Sequence, residues 1–231
     1  MIPMQFALRR RMMMVGGGEA PISDLPLGAL INVGTDGGAD TPNYEIADKD
    51  NLVSGGVVLV RKDIYSTSAF GTNGRYPNST LDNFITATIY NEMPQKLRDK
   101  MMDVSFELAG SGYITRKMFV PTKIMAGFGP NHISGETYEE GKMLQLYGST
   151  ANTRKTFNGI ISEWWLSSGD KRFFGSTEFE YAWRTSSDAS EDYYEHDFPS
   201  NVFGVVPAFV ISSETLCDAT PNTDGSYNLI L

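Results

Sequence analysis

Residues 160–212 read IISEWWLSSGDKRFFGSTEFEYAWRTSSDASEDYYEHDFPSNVFGVVPAFVIS, and this stretch decides how the chain is read. It holds all three tryptophans, Trp164, Trp165 and Trp183, with Phe173, Phe174, Phe179, Tyr181, Tyr193, Tyr194, Phe198, Phe203 and Phe209. Aromatics concentrate where a chain builds a core wall or a contact surface, because each ring brings a large apolar area with few rotors to freeze. Strands are predicted over 164–167, 172–175, 179–184 and 203–211, with an acidic loop, Ser186–Asp197, between the last two. Trp164 and Trp165 are adjacent on a strand and so face opposite ways. One belongs to the core; the other is covered or exposed. Phe179, Tyr181 and Trp183 share one strand face, which is either a core wall or a stacking platform.

Toward the N-terminus, 27–33, 44–47 and 57–61 (VVLVR) predict strands, and the polar run 66–80 predicts a loop. The period then changes. Leu81, Phe84, Ile85 and Ile89 line one face of a helix capped by Ser79 or Thr80 and running to about Asn91. Pro94 opens a second helix through Leu97, Met101 and Val104 to about Glu107. Ile114–Pro121 predicts a weak strand, and 135–148 a helical turn or two with Met143, Leu144, Leu146 and Tyr147 packed. Helices early and antiparallel strands late make an α+β chain. Residues 1–18 form an N-terminal extension closed by Gly16, Gly17 and Gly18, residues 19–217 a single domain, and residues 218–231 a tail or final strand.

A chain of 231 residues can bury a core without staples. Its net charge of −9 argues against nucleic acid as a main partner, since duplex binding needs a basic footprint. No apolar run is long enough for a membrane span. The single cysteine, Cys217, can form no internal disulfide and reads as a small apolar residue near a strand end. Residues 1–15 carry Arg9, Arg10 and Arg11 and no acid, so the rest of the chain carries −12. The arginines interrupt the apolar residues, which is the wrong order for a signal peptide. This stretch is either a frayed terminus or a docking arm; Phe6, Leu8, Met12 and Met13, with the three arginines, favour the arm, because methionines adapt to irregular partner surfaces.

The segments EWWLSSG at Glu163–Gly169 and GVVPAFVIS at Gly204–Ser212 resemble the closing half of a C-type lectin-like fold. With FALRRRMMMVGGG, DLPLGALINV, VVLVRKDI and YPNSTLDNFI, they are similar to the "WWLRS…GVRPAF" pattern of an uncharacterised domain of Firmicutes phages and prophages. The resemblance spans about residues 4–215 and implies a virion setting more firmly than an activity. Two arginines of that pattern are Ser167 and Val206 here. The wider fold group includes sulfatase-activating oxidases, calcium lectins and phage tropism determinants. The oxidases use a cysteine pair with copper, which one cysteine cannot supply. Thr41-Pro42-Asn43 and Thr220-Pro221-Asn222 lack the acid of the lectin calcium motifs, and no Trp-Asn-Asp occurs. The expectation is therefore no cofactor and no metal.

Searching for chemistry returns no catalytic set. His132 and His196 lie in no metal-ligand spacing, and no nucleophile elbow or phosphate loop occurs. His196 stands between Glu195 and Asp197, as solvated charge clusters commonly place it. The acidic loop with Tyr193 and Tyr194 is either a charged surface loop or a recognition loop, tyrosines making rigid contacts beside adaptable polar groups. The leading expectation is a non-enzymatic virion adhesin of a tail tip or fibre, assembled in the bacterial cytoplasm. It would bind a host glycan or protein through Phe179, Tyr181, Trp183, Asp188, Asp192, Tyr193 and Tyr194, and other virion proteins through its arm. The reading admits a homo-oligomer. A capsid or tail decoration protein is the second expectation, and a cell-wall glycan hydrolase, with paired carboxylates, the third. Deleting residues 1–18 is expected to leave a folded domain that no longer enters particles, as circular dichroism and particle composition would report.

Overall fold

Six successive residues, Gly56–Arg61, are buried without alternation, the pattern of a strand covered on both faces. The computed structural model, which describes residues 18–38, 42–133, 136–174, 176–186 and 194–231, places this strand inside a six-stranded sheet. In chain order the strands are β1 Glu19–Pro21, β2 Leu30–Asn32, β3 Asn43–Lys49, β4 Gly56–Arg61, β5 Ser66–Ala69, β6 Val104–Leu108, β7 Gly112–Arg116, β8 Met118–Phe119, β9 Asn131–Ile133 and β10 Glu136–Tyr138. There follow β11 Lys155–Phe157, β12 Ile160–Ser162, β13 Trp165–Phe174, β14 Thr177–Thr185, β15 Tyr194–Asp197, β16 Val202–Val205, β17 Ala208–Ser212, β18 Leu216–Asp218 and β19 Ser226–Asn228. The main sheet runs β19-β2-β3-β4-β17-β8, antiparallel except where β19 joins β2. The described residues also form a three-stranded sheet, β13-β14-β15, the hairpins β6-β7, β9-β10 and β11-β12, and the long-range pairs β1-β18 and β5-β16.

The chain is mainly β-sheet with two short helical runs, an α+β composition. The first run passes through Thr80–Asn83, a π-helical Phe84–Ile89 and Tyr90–Glu92. Ser79 caps it, its hydroxyl accepting from the Asp82 N–H at 3.0 Å, and Leu81, Ile85 and Ile89 are buried as the spacing predicts. The second helix is only Gln95–Lys100, not the longer one expected to Glu107. The Met102 N–H donates to the Val210 carbonyl at 2.8 Å, which pulls the chain into extended form beside β17. Val104, Phe106 and Leu108 then point inward at strand period, in a hairpin with β7.

Two further expectations are corrected. The polar segment expected as a loop contains β5, which pairs with β16. Asn158 and Gly159, both at positive φ, turn β11 into β12 as a two-residue hairpin. Met143 is largely exposed, whereas Leu144 and Tyr147 are buried. Of the two forms expected for the final residues, a strand is present: β19 is an edge of the main sheet, and β18 before it pairs with β1. Cys217 is buried in β18, where burial pushes its thiol up to about 11, consistent with an inert packing role.

Both Trp164 and Trp165 are fully buried on opposite sides of their strand. The Trp164 indole N–H donates to the Thr153 carbonyl at 2.9 Å, and that of Trp165 to the Ser68 carbonyl at 2.8 Å. Trp165 also packs edge-on against Phe70 and Phe203, joining β13 to β5 and β16. Ser167 and Val206, the two departures from the arginine-bearing pattern, are fully buried, so no guanidinium has to be accommodated at either place.

One ion pair is sealed in the main sheet. Arg61 Nε lies 2.6 Å from an Asp36 carboxylate oxygen, with both side chains about 1% exposed, and the Tyr44 hydroxyl donates to the same carboxylate at 3.1 Å. Burial, then the Asp36 charge, push the Tyr44 hydroxyl well above its ordinary pKa. Removing one partner strands the other charge away from water. Asp36→Ala is expected to lower stability by about 3–5 kcal/mol, read from urea denaturation midpoints.

Candidate functional site

The long hairpin β13–β14 is antiparallel, with Asp170 opposite Tyr181 and Gly169 opposite Ala182, and its register shifts between Trp165 and Gly169. The loop carrying Gly74 crosses it at that irregularity. A Cβ on Gly169 would collide with the Gly74 carbonyl, and a Cβ on Gly74 with the Tyr181 carbonyl, so both glycines are required by close backbone approach. β15 continues the sheet, with His196 opposite Trp183 and Asp197 opposite Ala182.

Alternation places Tyr181 and Trp183 of β14 on one face with His196 of β15, and Phe198 follows two residues on. The Tyr181 ring lies 4.8 Å from His196 (edge-on) and 5.1 Å from Phe198 (tilted), and Trp183 meets His196 edge-on at 5.6 Å. Such geometries suit the quadrupoles of the rings. Exposure grades across the group. Trp183 is buried at 6%, Tyr181 and His196 are partly exposed, and Phe198 is 51% exposed. Of the two readings of this face, Trp183 follows the core wall and Tyr181 the accessible surface.

Trp183 is the floor of the face. Its indole N–H donates to Asn131 Oδ1 at 3.0 Å, and Lys123 Nζ sits 4.4 Å from its ring centroid while donating to the Pro130 carbonyl at 3.2 Å. Asn131 Nδ2 in turn donates to the Gly169 carbonyl at 2.6 Å. The floor therefore ties β14 to β9 and back to β13.

Below it lies Glu140, completely buried. Its carboxylate accepts from the Ala109 N–H at 2.9 Å, from Asn131 Nδ2 at 3.4 Å, and from the Ser168 hydroxyl. Ser168 Oγ itself accepts from the Lys123 N–H at 2.8 Å. One carboxylate thus holds the β6–β7 turn, β9 and β13 together. Burial raises its pKa above the ordinary carboxyl value, against the opposing pull of those donors and Lys123. Sealed from solvent, it braces the aromatic face from beneath.

The other side of β14 is different. Arg184 pairs with Glu163 at 2.8 Å and Asp197 at 3.2 Å, and its guanidinium stacks 4.7 Å over the Phe203 ring. Asp197 also accepts from Asn201 Nδ2 at 2.6 Å and the Phe198 N–H at 2.7 Å, fixing the turn that presents Phe198. On this side opens a groove of about 300 Å³ lined by Ile64, Phe157, Ile161, Glu163, Val202 and Phe203 among others.

Of the residues expected to bind a receptor, Tyr181 and Trp183 are thus brought together, the first accessible and the second not. Phe179 and Tyr194 lie on β14 and β15, opposite Arg172 and Thr185. Asp188, Asp192 and Tyr193 lie outside the described residues, as do Phe6, Leu8, Arg9, Arg10, Arg11, Met12 and Met13 of the arm. His196 and Phe198 were missed as members of the face. The signal was the i, i+2 spacing of the two rings at the end of the segment expected as the acidic loop Ser186–Asp197, whose last residues are not loop but β15. Among the described residues, no three His, Cys, Asp or Glu side chains stand where they could hold a metal, and no helix is long and apolar enough to cross a membrane.

The chain belongs to the family described as Domain of unknown function (DUF6273), which it matches over residues 54–213. That span runs from just before β4 to just after β17 and contains both the aromatic face and the groove. No curated protein and no solved structure matches the chain.

A carboxyl whose folded pKa is raised contributes stability that is complete below its unfolded pKa and is lost as pH rises through the folded one. Glu140→Gln, which keeps an acceptor for Ala109 and stays neutral, escapes that loss. The melting temperature of the variant minus that of the native chain is expected to grow as pH rises above the ordinary carboxyl value of 4.5. A difference that is flat or shrinks over that range would remove desolvation as the governing cause.

Proposed function

We propose that this DUF6273 member is a non-enzymatic recognition domain of a bacteriophage virion, built on a C-type lectin-like variant of its α+β fold. It binds a host-surface glycan or protein at a tail tip or fibre through the face of Tyr181, His196 and Phe198. The observation that carries the reading is this face: accessible rings in edge-on and tilted contact, held over a buried tryptophan whose N–H is satisfied. Rings with few rotors lose little entropy on binding, and a braced floor keeps them in place before the ligand arrives. The resemblance of EWWLSSG and GVVPAFVIS to the phage and prophage pattern supports the virion setting. The arm, with Arg9 to Arg11, would join the domain to other virion proteins.

A decoration protein of capsid or tail is the second reading. The groove, of mixed polar and apolar lining, favours it, since it lies on the opposite side of β14 from the aromatic face.

Tyr181→Ala and Phe198→Ala remove contact area without touching Trp183 or its hydrogen bond. Each is expected to weaken binding of the purified protein to host cells at least tenfold, about 1.4 kcal/mol, with melting temperature little changed. Binding that survives the double substitution moves the receptor site off this face. No binding by the unaltered protein favours decoration.

A further inference from the structure

Four places in the chain put glycine directly after an aspartate or an asparagine: Asp36-Gly37, Asn73-Gly74, Asn158-Gly159 and Asp224-Gly225. Such pairs carry latent chemistry. With no Cβ beside it, a glycine nitrogen can reach the side-chain carbonyl carbon of the residue before it and close a cyclic imide. Asparagine is the more reactive partner at neutral pH, because the charge of a carboxylate repels an incoming nitrogen, and it counts among the thermally labile residues.

The fold closes three of these places. Asp36 is sealed against Arg61, and its other carboxylate oxygen accepts from the Gly38 N–H at 2.9 Å. Asp224 Oδ1 accepts from the Ser226 N–H at 2.9 Å and from its hydroxyl at 2.7 Å, while the Gly225 N–H donates to the Asn222 carbonyl at 3.0 Å. Asn73 Oδ1 accepts from the Arg75 N–H at 3.1 Å. Gly74 after it is buried, with the Tyr181 carbonyl 2.1 Å from where a Cβ would stand. Closing an imide moves the glycine backbone relative to the residue before it, and a close-packed backbone resists that movement. Asn78-Ser79, with the next smallest follower, is held as well, since the Ser79 N–H donates to the Tyr76 carbonyl at 2.9 Å.

Asn158-Gly159 is built differently. Both residues are exposed at the tip of the β11–β12 hairpin. The pair Phe157 and Ile160 closes the ladder, which leaves the two central N–H groups to solvent. Among the described residues, no group hydrogen-bonds the Asn158 carboxamide or the Gly159 N–H, and nothing lies within 4 Å of where a Cβ on Gly159 would stand. Neither reacting group has to give up a protein contact, and the space around them is open.

We propose that Asn158 is a site of spontaneous deamidation, the Asn-Gly pair that the fold leaves open to it. The Gly159 nitrogen bonds to Asn158 Cγ, the Cγ–Nδ2 bond breaks, and the side-chain nitrogen leaves as ammonia with the Gly159 amide proton. Water then opens the imide, giving aspartate where it adds at Cγ and isoaspartate where it adds at the main-chain carbonyl carbon. Either product raises the net negative charge by one. Aspartate keeps the hairpin, because Asp-Gly suits the same turn. Isoaspartate adds a main-chain atom to a turn whose length sets the register, so Phe157 and Ile160 no longer meet as they do now. The inference is independent of the receptor reading, since the site lies on a different hairpin from the aromatic face.

The test is peptide mapping by mass spectrometry on the full chain held in mildly alkaline buffer, folded and in urea. In the folded chain the peptide carrying Asn158 is expected to gain the mass of deamidation at least about tenfold faster than the peptide carrying Asn73. In urea the two rates are expected to converge, because both asparagines precede glycine and the fold no longer distinguishes them. Asn158→Gln is expected to remove the fast component; should that variant fold poorly, the two peptides of the unaltered chain still decide. A folded chain in which Asn73 keeps pace with Asn158, or in which Asn158 does not react, overturns the proposal.

Discussion

The adjacency of β4 and β17 is the constraint from which the rest follows. Val57 meets Ile211 and Val60 meets Ala208, although about two thirds of the chain separates the two strands. Closing so long a loop carries an entropic cost that grows only slowly with its length. The return is a pair of strands buried on both faces, where every apolar residue leaves water. Once these strands pair, the intervening chain is tethered at both ends. The matched family span is bounded by these same two strands.

Much of this frame was legible in the sequence. A β-branched run with no polar interruption reads as a buried strand, as VVLVR does, and residues 203–211 read as a strand. The π-containing helical run was legible because its apolar residues recur at helical spacing behind a serine cap. Val104 shows where legibility ends. With Leu97 and Met101 it fits a helix, and with Phe106 and Leu108 it fits a strand. The tie is broken by the Met102 bond to Val210, a residue more than a hundred positions away. β5 is a similar case, since Ser66–Ala69 has no apolar alternation of its own and becomes a strand only because β16 lies beside it.

The candidate site was legible in part for a related reason. Aromatic density marked the hairpin, and alternation put Tyr181 and Trp183 on one face, but alternation cannot say how deep each ring sits. Depth is set by Lys123, Asn131 and Glu140, which approach from another part of the chain and close over Trp183 while leaving Tyr181 outside. The groove had a local signal, Asn158-Gly159 between Phe157 and Ile160, which is strong for a hairpin and says nothing of what the hairpin faces. A one-residue step along β14, from Trp183 to Arg184, separates the two surfaces.

The layering of the aromatic face has a consequence for how such a domain can change. Tyr181 and His196 belong to strands whose backbone bonds are indifferent to the side chain they carry, and Phe198 sits on a turn fixed by Asp197. The interlocked polar layer and the two glycines beneath them tolerate almost no alteration. Novelty is therefore confined to a rewritable outer layer on an unalterable base. If the face binds as proposed, exchanging a few outward rings changes what it binds with no compensating change in the fold.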